Sequence, residues 1–276
     1  MFPGNFDYVR ADSLTDALSL LAQEDAKVLA GGHSLVPLLK QRLAQPSTLV
    51  DISKIDELRG ISVNGGTVRV GALTTHHEVA SSEALQEAAP ILAEAAGKIG
   101  DPQVRNRGTV GGNIAHADPA SDLPAVLVAL GATIHIQGPN GARETPAAGF
   151  FQGLMDTGLE ENEILVAVTF DALSSGDGSA YVKFEHPASG YAICGAAAVL
   201  RGDTPSLAFN GVAVVPHAVS TGDLGSDLSD EGLTAALSGL AIEDPLSDIH
   251  ASAEYRNHLA KVFGARALGL ARDRRG

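Results

Sequence analysis

Two short glycine-rich stretches carry the residue types in this chain best suited to binding chemistry. One is Arg107-Gly108-Thr109-Val110-Gly111-Gly112-Asn113-Ile114-Ala115. The other is Ala30-Gly31-Gly32-His33-Ser34, directly after the apolar Val28-Leu29. Adjacent glycines make poor helix and poor strand, and they let a ligand come within hydrogen-bond distance of the main chain. A run of backbone N–H groups in such a turn forms a concave nest that suits a phosphate or pyrophosphate. Thr109, Asn113 and Ser34 add side-chain donors. One such motif alone reads equally well as a tight turn between elements. Two of matching chemistry suit a ligand with two phosphates held from both sides, which is the shape of a dinucleotide cofactor.

Other polar groups carry less. Asp122 stands at the start of an apolar segment and has two open readings, a helix cap or a group reaching a sugar hydroxyl of the same ligand. His76-His77 invites a metal, but adjacent helical residues point about 100° apart and chelate poorly. Thr75 with Glu78 makes a good capping box there, so a structural role is expected for the pair. His116 and Asp118 have no activating neighbour and read as a polar loop. Cys194 is the single cysteine and lies in an apolar strand, so it reads as an inert core residue that excludes an internal disulfide or a cysteine-ligated cluster. Neither a G-x-G-x-x-G after a strand nor a P-loop is present, and no hydrolase elbow or zinc motif appears. If the chain is an enzyme, a cofactor is expected to carry its chemistry.

The elements that must position these groups can be read in order. Ser13 caps a helix with Asp16 closing a capping box, and Leu14, Ala17, Leu18, Leu21 and Ala22 form its buried face. A strand over 27–30, the glycine turn, a helix over 35–43 and a strand over 48–52 follow. They make a β–α–β unit with the nest at a helix N-terminus, where the dipole also favours a phosphate. Residues 61–63 and 67–70 flank Asn64-Gly65-Gly66 as a hairpin. A helix over 85–99 leads to the central motif, and another over 123–130 ends at Gly131. A second hairpin flanks Pro139-Asn140-Gly141, and 163–170 reads as an apolar strand. Residues 174–179 read as a linker. Beyond them 180–184, 192–201 and 207–215 read as a three-stranded antiparallel meander, closed by helices near 231–240 and 252–272. Arg272, Arg274 and Arg275 suit the negative end of the last helix.

Bulk properties narrow the function class. The chain has 276 residues, enough for more than one domain. Its composition, 45% hydrophobic with 19% charged residues, is that of a soluble globular protein. A formal net charge of −14 argues against nucleic acid or an anionic membrane as partner. No apolar run approaches the ~20 residues of a membrane span. The opening residues lack the basic and apolar regions of a signal peptide, so a cytoplasmic protein is expected.

Taken together, these residues resemble the FAD-binding medium subunit of the molybdenum hydroxylases, the carbon monoxide dehydrogenase and xanthine dehydrogenase family. The resemblance rests on 30–34 and Thr109-Val110-Gly111-Gly112-Asn113. It continues through Phe6-Asp7-Tyr8, Asp118-Pro119-Ala120-Ser121-Asp122, Tyr181-Val182-Lys183-Phe184, Tyr191-Ala192 and Glu254-Tyr255-Arg256. It implies an α+β fold, with a p-cresol methylhydroxylase-type FAD-binding domain in two subdomains (1–54 and 55–173). The linker at 174–179 then leads to a small α+β C-terminal domain, 180–276. It implies that Ala30, Gly31, Gly32, His33, Ser34, Thr109, Val110, Gly111, Gly112 and Asn113 hold the pyrophosphate of FAD and that Asp122 anchors polar groups of the cofactor. Leu165 and Lys183 would line the flavin site, with Tyr191 near the isoalloxazine ring. Two departures, Glu185-His186-Pro187 where relatives often carry basic residues and Gly190 where they often carry Asp, change the charge expected at the flavin edge.

The resemblance further implies a partner large subunit with molybdopterin and a small subunit with [2Fe–2S] clusters, in a dimer of heterotrimers. This chain would pass electrons through FAD to an external acceptor. The alternatives are a stand-alone FAD-dependent oxidoreductase of the same fold superfamily and a non-catalytic assembly module.

Overall fold

The computed structural model describes residues 2–275. Its first unit is a three-stranded parallel sheet of β1 (Asp7–Arg10), β2 (Ala26–Leu29) and β3 (Thr48–Asp51), in the order β1-β3-β2. Helices α1 (Leu14–Leu21) and α2 (Leu35–Gln41) make the crossovers. The expected β–α–β unit thus gains a strand. β1 escapes sequence reading because its four residues are mostly exposed and show no alternation; backbone pairing with β3 holds it. Ser13 caps α1 by accepting the Asp16 N–H at 3.1 Å. The reciprocal half of the box is not formed, since the Asp16 carboxylate takes the Asp12 N–H instead.

The second unit is an antiparallel sheet flanked by helices. Its strands are β4 (Ile61–Asn64), β5 (Thr67–Gly71), β6 (Thr133–Gly138), β7 (Gly141–Pro146) and, after a small hairpin of β8 (Phe151–Gly153) and β9 (Asp156–Thr157), β10 (Ile164–Asp171). Both expected hairpins sit in it, and β10 joins them in the order β4-β5-β10-β6-β7. Packed with this sheet are α3 (His76–Ser81), α4 (Glu83–Ala88), α5 (Pro90–Gly97), α6 (Pro102–Arg105), α7 (Val110–His116) and α8 (Asp122–Leu130). The single helix expected over 85–99 is two. Pro90 has no N–H to donate and starts α5, and Ala89 before it leaves the helical region at φ −158°.

The central glycine motif is also a correction: it is helical. Thr109 caps α7 by accepting the Gly112 N–H at 3.1 Å, and the helix runs through both glycines. Glycine costs about 1 kcal/mol in a helix relative to alanine. Contact explains why it stands here, because a Cβ on Gly111 would lie 2.5 Å from the Ala72 Cβ.

The third unit corrects the expected three-stranded sheet to four strands: β11 (Gly178–Glu185), β12 (Ala192–Arg201), β13 (Thr204–Asn210) and β14 (His217–Val219), antiparallel in that order. Gly211, at φ 77°, ends β13, so the apolar run over 207–215 is not one strand. The segment 174–179 is an ordered turn in which the Asp177 carboxylate accepts from the Ser174 N–H, and β11 begins inside it. Helices α9 (Thr221–Leu224), α10 (Asp230–Ser238) and α11 (Ala253–Asp273) complete the chain. β12 is buried along its whole length except Arg201, because α8 covers one face of the sheet and α11 the other. Alternation along β12 sends Ala197 and Val199 into the middle core and Ala196, Ala198 and Leu200 into the C-terminal core. Small side chains there let both helices approach closely.

Arg256 of α11, only 3% exposed, clamps the sheet ends. It donates to the carbonyls of Ile193 and Gly211 and, at 2.7 Å, to Asp248. Removing a donor that serves buried carbonyls leaves them unsatisfied. Arg256→Leu is therefore expected to destabilise the protein by about 3 kcal/mol or more. Equilibrium urea unfolding checks this; an unchanged midpoint would show the clamp to be energetically idle.

Candidate functional site

A cleft of about 740 Å³ runs along the junction of the first and second units and opens toward the third. That volume lies within the range of sites for cofactor-sized ligands. Ala30, Gly31, Gly32, His33 and Ser34 line one wall, and Thr109, Gly111, Gly112 and Asn113 line the other, with Asp122, Leu165 and Tyr191 further along. The topology thus brings together twelve residues that lie far apart in sequence.

Their close approach has a steric cause. A Cβ on Gly31 would stand 2.1 Å from the Arg107 carbonyl oxygen, so only glycine lets the two loops meet. His33 Nε2, 3.0 Å from the Gln103 carbonyl oxygen, bridges the same junction. Segment 72–76 braces it from below: Val110 N–H donates to Thr74, Gly111 N–H to Ala72, and His76 N–H to Gly108.

The two loops offer different chemistry. In the second, the N–H groups of Val110, Gly111, Gly112 and Asn113 are all taken by protein acceptors, so this loop presents side chains and an open glycine face rather than a nest. In the first, the N–H groups of Gly31, Gly32, His33, Ser34 and Leu35 have no acceptor among the described residues, and Ser34 at the α2 N-cap makes no capping bond. Five unused donors around a helix start are what a diphosphate needs. The residues present therefore fit a cofactor with a diphosphate such as FAD, which 31–35 would be placed to hold.

Two expected site residues do not line the cleft. Val110 is fully buried in the core, where it anchors α7. Lys183 lies behind Asp122, its side chain 2% exposed, and donates to Asp122 (3.2 Å) and to the carbonyls of Lys98 (2.8 Å) and Gly190 (2.9 Å). The Lys98 carbonyl belongs to the C-terminal end of α5 and Asp122 to the N-terminal turn of α8, so both helix dipoles favour the ion pair. Because Gly190 precedes Tyr191, Lys183 also ties the Tyr191 loop to the cleft wall. Tyr181 donates its hydroxyl to the other Asp122 oxygen, and burial holds this phenol well above its ordinary range. Asp122 is not the helix cap, since Ser121 holds the N-cap position of α8 and Asp122 makes no capping bond; it is the acceptor for two side chains of the C-terminal sheet. Burial pushes its carboxyl up to about 6, a rise that Lys183 and Tyr181 only partly offset.

His76 was not foreseen as a site residue. It lines the cleft beside Gly108, only 3% exposed, and burial followed by the charges of His33 and Arg105 pushes it down to about 4. Sequence spacing weighed the histidine pair as a metal chelate and favoured a structural role instead, neither of which places it at a cofactor. The usable signal was the capping box, which turns His76 inward and leaves His77 exposed. Among the described residues, no group of three or more His, Cys, Asp or Glu side chains is placed to hold a metal ion.

Two measurements test this geometry. Gly31→Ala should force the loops apart and weaken FAD binding about tenfold or more, about 1.4 kcal/mol, with far-UV circular dichroism unchanged; unaltered affinity in a fluorescence-quenching titration would remove the loop contact from the site. The second uses pH. His76 falls from 6.5 to about 4 on folding, so its contribution to stability is lost as pH drops through that window. Asp122 rises from 3.8 to about 6, so its contribution is lost as pH climbs between those values. The two oppose each other, and Asp122→Asn should steepen the loss of stability on acidification from pH 6 to 4. Urea midpoints across that range, with a slope equal to or shallower than that of the unmodified protein, would refute the assignment.

The model of the FAD binding domain in molybdopterin dehydrogenase matches residues 4–170, and that of the CO dehydrogenase flavoprotein C-terminal domain matches 179–271. The chain is 43% identical to the carbon monoxide dehydrogenase medium chain of Hydrogenophaga pseudoflava, over 98% of each chain. It is 38% identical to the 6-hydroxypseudooxynicotine dehydrogenase complex subunit alpha of Paenarthrobacter nicotinovorans, over 99% of this chain and 97% of that one. A solved structure of the Hydrogenophaga pseudoflava carbon monoxide dehydrogenase, in a form lacking the Mo-pyranopterin moiety of its molybdenum cofactor, superposes with a TM-score of 0.95 at 42% identity. It covers 100% of both chains. With both family models and relatives matching over nearly its whole length, the chain belongs to the FAD-binding medium subunits of the molybdenum hydroxylases, the carbon monoxide dehydrogenase and xanthine dehydrogenase family.

Proposed function

We propose that this chain is the electron-transfer subunit of a cytoplasmic molybdenum-containing dehydrogenase complex. Its partners are a large molybdopterin subunit and a small [2Fe–2S] subunit, assembled as a dimer of heterotrimers. Bound FAD supplies the redox chemistry, taking electrons from the [2Fe–2S] clusters of the partner and delivering them to an external acceptor. The chain's own residues bind and orient. The N–H groups of 31–35 hold the diphosphate, and Thr109, Gly112 and Asn113 form the opposite wall. Asp122, held ionised above about pH 6 by its position beside Lys183, offers an acceptor to the cofactor's hydroxyls.

The observation that carries the reading is the mouth of the cleft. Tyr191 stands there 55% exposed, on a loop that Lys183 fixes to the cofactor wall. A flavin bound beside it would have one edge accessible to another protein or a small acceptor. The relatives support a subunit role, since proteins of almost the same length are named as chains of dehydrogenases for carbon monoxide and for 6-hydroxypseudooxynicotine. Their substrates differ while the medium chain persists, as expected if substrate choice lies on another subunit.

The test is purification of the tagged chain from its native host, with an absorbance spectrum and metal analysis. Flavin bands with co-purifying molybdenum and [2Fe–2S] subunits are expected. Turnover of a small substrate by the isolated chain with FAD alone would replace this reading with a stand-alone oxidoreductase. Folded protein that takes up no FAD even with its partners present would leave an assembly role.

A further inference from the structure

His76 is the one buried imidazole that faces the cofactor cleft, and its two ring nitrogens are in different surroundings. Nδ1 is sealed from solvent and has no hydrogen-bond partner among the described residues. Nε2 lies on the ring edge that packs against Gly108, at 3.0 Å from where a Cβ on that glycine would be. No protein group bonds it, and unlike Nδ1 it is not closed off from the cleft that the residue lines. The ring is neutral at pH 7, because burial and the nearby His33 and Arg105 oppose a charge. A neutral imidazole carries one N–H. Burying a donor without an acceptor is disfavoured more than leaving a lone pair unpaired. The proton therefore belongs on Nε2, with the lone pair in the sealed position. This leaves a donor beside Gly108, at the junction where Gly31 meets Arg107, with no hydrogen-bond partner among the described residues.

We propose that His76 is a cofactor-binding residue whose Nε2–H donates to a diphosphate oxygen of FAD where the two glycine loops meet. The proposal rests on the assignment of FAD to this cleft. It gives the second loop a polar contact that the N–H groups of Val110, Gly111, Gly112 and Asn113, each bonded within the protein, do not provide. It also gives the site a means of preferring a dinucleotide over the flavin alone, since the diphosphate is what distinguishes them chemically.

The test compares FAD affinity of the unmodified protein with His76→Leu, His76→Asn and His76→Gln, by quenching of flavin fluorescence. The Gln amide nitrogen reaches the position of Nε2, whereas the Asn amide reaches only that of Nδ1. The Leu and Asn variants are expected to bind FAD about tenfold more weakly, the loss of one hydrogen bond to a charged group, and the Gln variant to recover most of the affinity. Competition by ADP should weaken in parallel, while binding of riboflavin, which has no phosphate, should not change. Equal FAD affinity in all four folded proteins, or equal losses for ADP and riboflavin, would overturn the proposal in favour of a packing role.

Nitrogen-15 histidine spectra of the unmodified protein give a readout free of folding defects. Adding ADP should move the His76 Nε2 resonance, and a static one would likewise refute the contact. Failure of the unmodified protein to bind FAD at all would sink the cofactor assignment itself, a result separable from failure of the variants alone.

Discussion

A carboxylate cannot sit in a protein interior unless other groups compensate for the water it has lost. Asp122 sets that condition for this protein. It is 5% exposed at the start of a fully apolar helix, and both of its side-chain partners, Lys183 and Tyr181, come from the first strand of the C-terminal sheet. The ammonium of Lys183 is in turn completed by the end of α5 and by the loop that carries Tyr191. The second and third units of the fold therefore both have to be in place before this charge is tolerable. A domain lacking either glycine loop thus takes part in the cleft, through Tyr191 in its lining and through the partners of Asp122.

The glycines show a second constraint, that of distance. Each allows a different close approach: Gly31 to the backbone of the opposite loop, Gly111 to Ala72, and Gly108 to the His76 ring. Gly112 is less confined: a Cβ there would meet only the Thr109 hydroxyl that caps its own helix and, at 4.0 Å, the Ala30 Cβ of the opposite loop. Most of the glycine in the second motif thus serves to press the walls together. The donors that an anion would meet lie mainly in the first motif. In a chain with a net charge of −14, this arrangement offers a phosphate oriented N–H dipoles rather than a cluster of lysines and arginines.

How much of this was legible depended on the range of the interaction concerned. Caps, hairpin turns and the apolar faces of α1 and α8 are local, and they were read from spacing. β1 and β14 are short and carry little apolar pattern; β1 exists through pairing with β3, far along the chain, and β14 adds to the neighbouring β13 after a loop, so no alternation announced either. The helix through Gly111 and Gly112 runs against glycine's own preference because contact with Ala72 decides there. Lys183 was placed at the flavin by resemblance, but its three bonds are all to protein atoms, since the partner that claims it is a buried carboxylate sixty-one positions away.

By itself the sequence determined the identity of the two glycine turns, the dinucleotide chemistry they imply, the absence of cysteines for a cluster within the chain, and, through motifs recurring in order, the family. Those properties follow from residue type and short spacing, which hydrogen-bonding capacity and backbone preference translate directly. Only the tertiary structure decided which loop keeps its N–H groups free, which polar side chains face the cleft and which face one another, and that His76 belongs to the site. Such questions turn on who occupies each donor and acceptor once the chain has closed, and in a buried site that is settled by contacts between residues the sequence holds far apart.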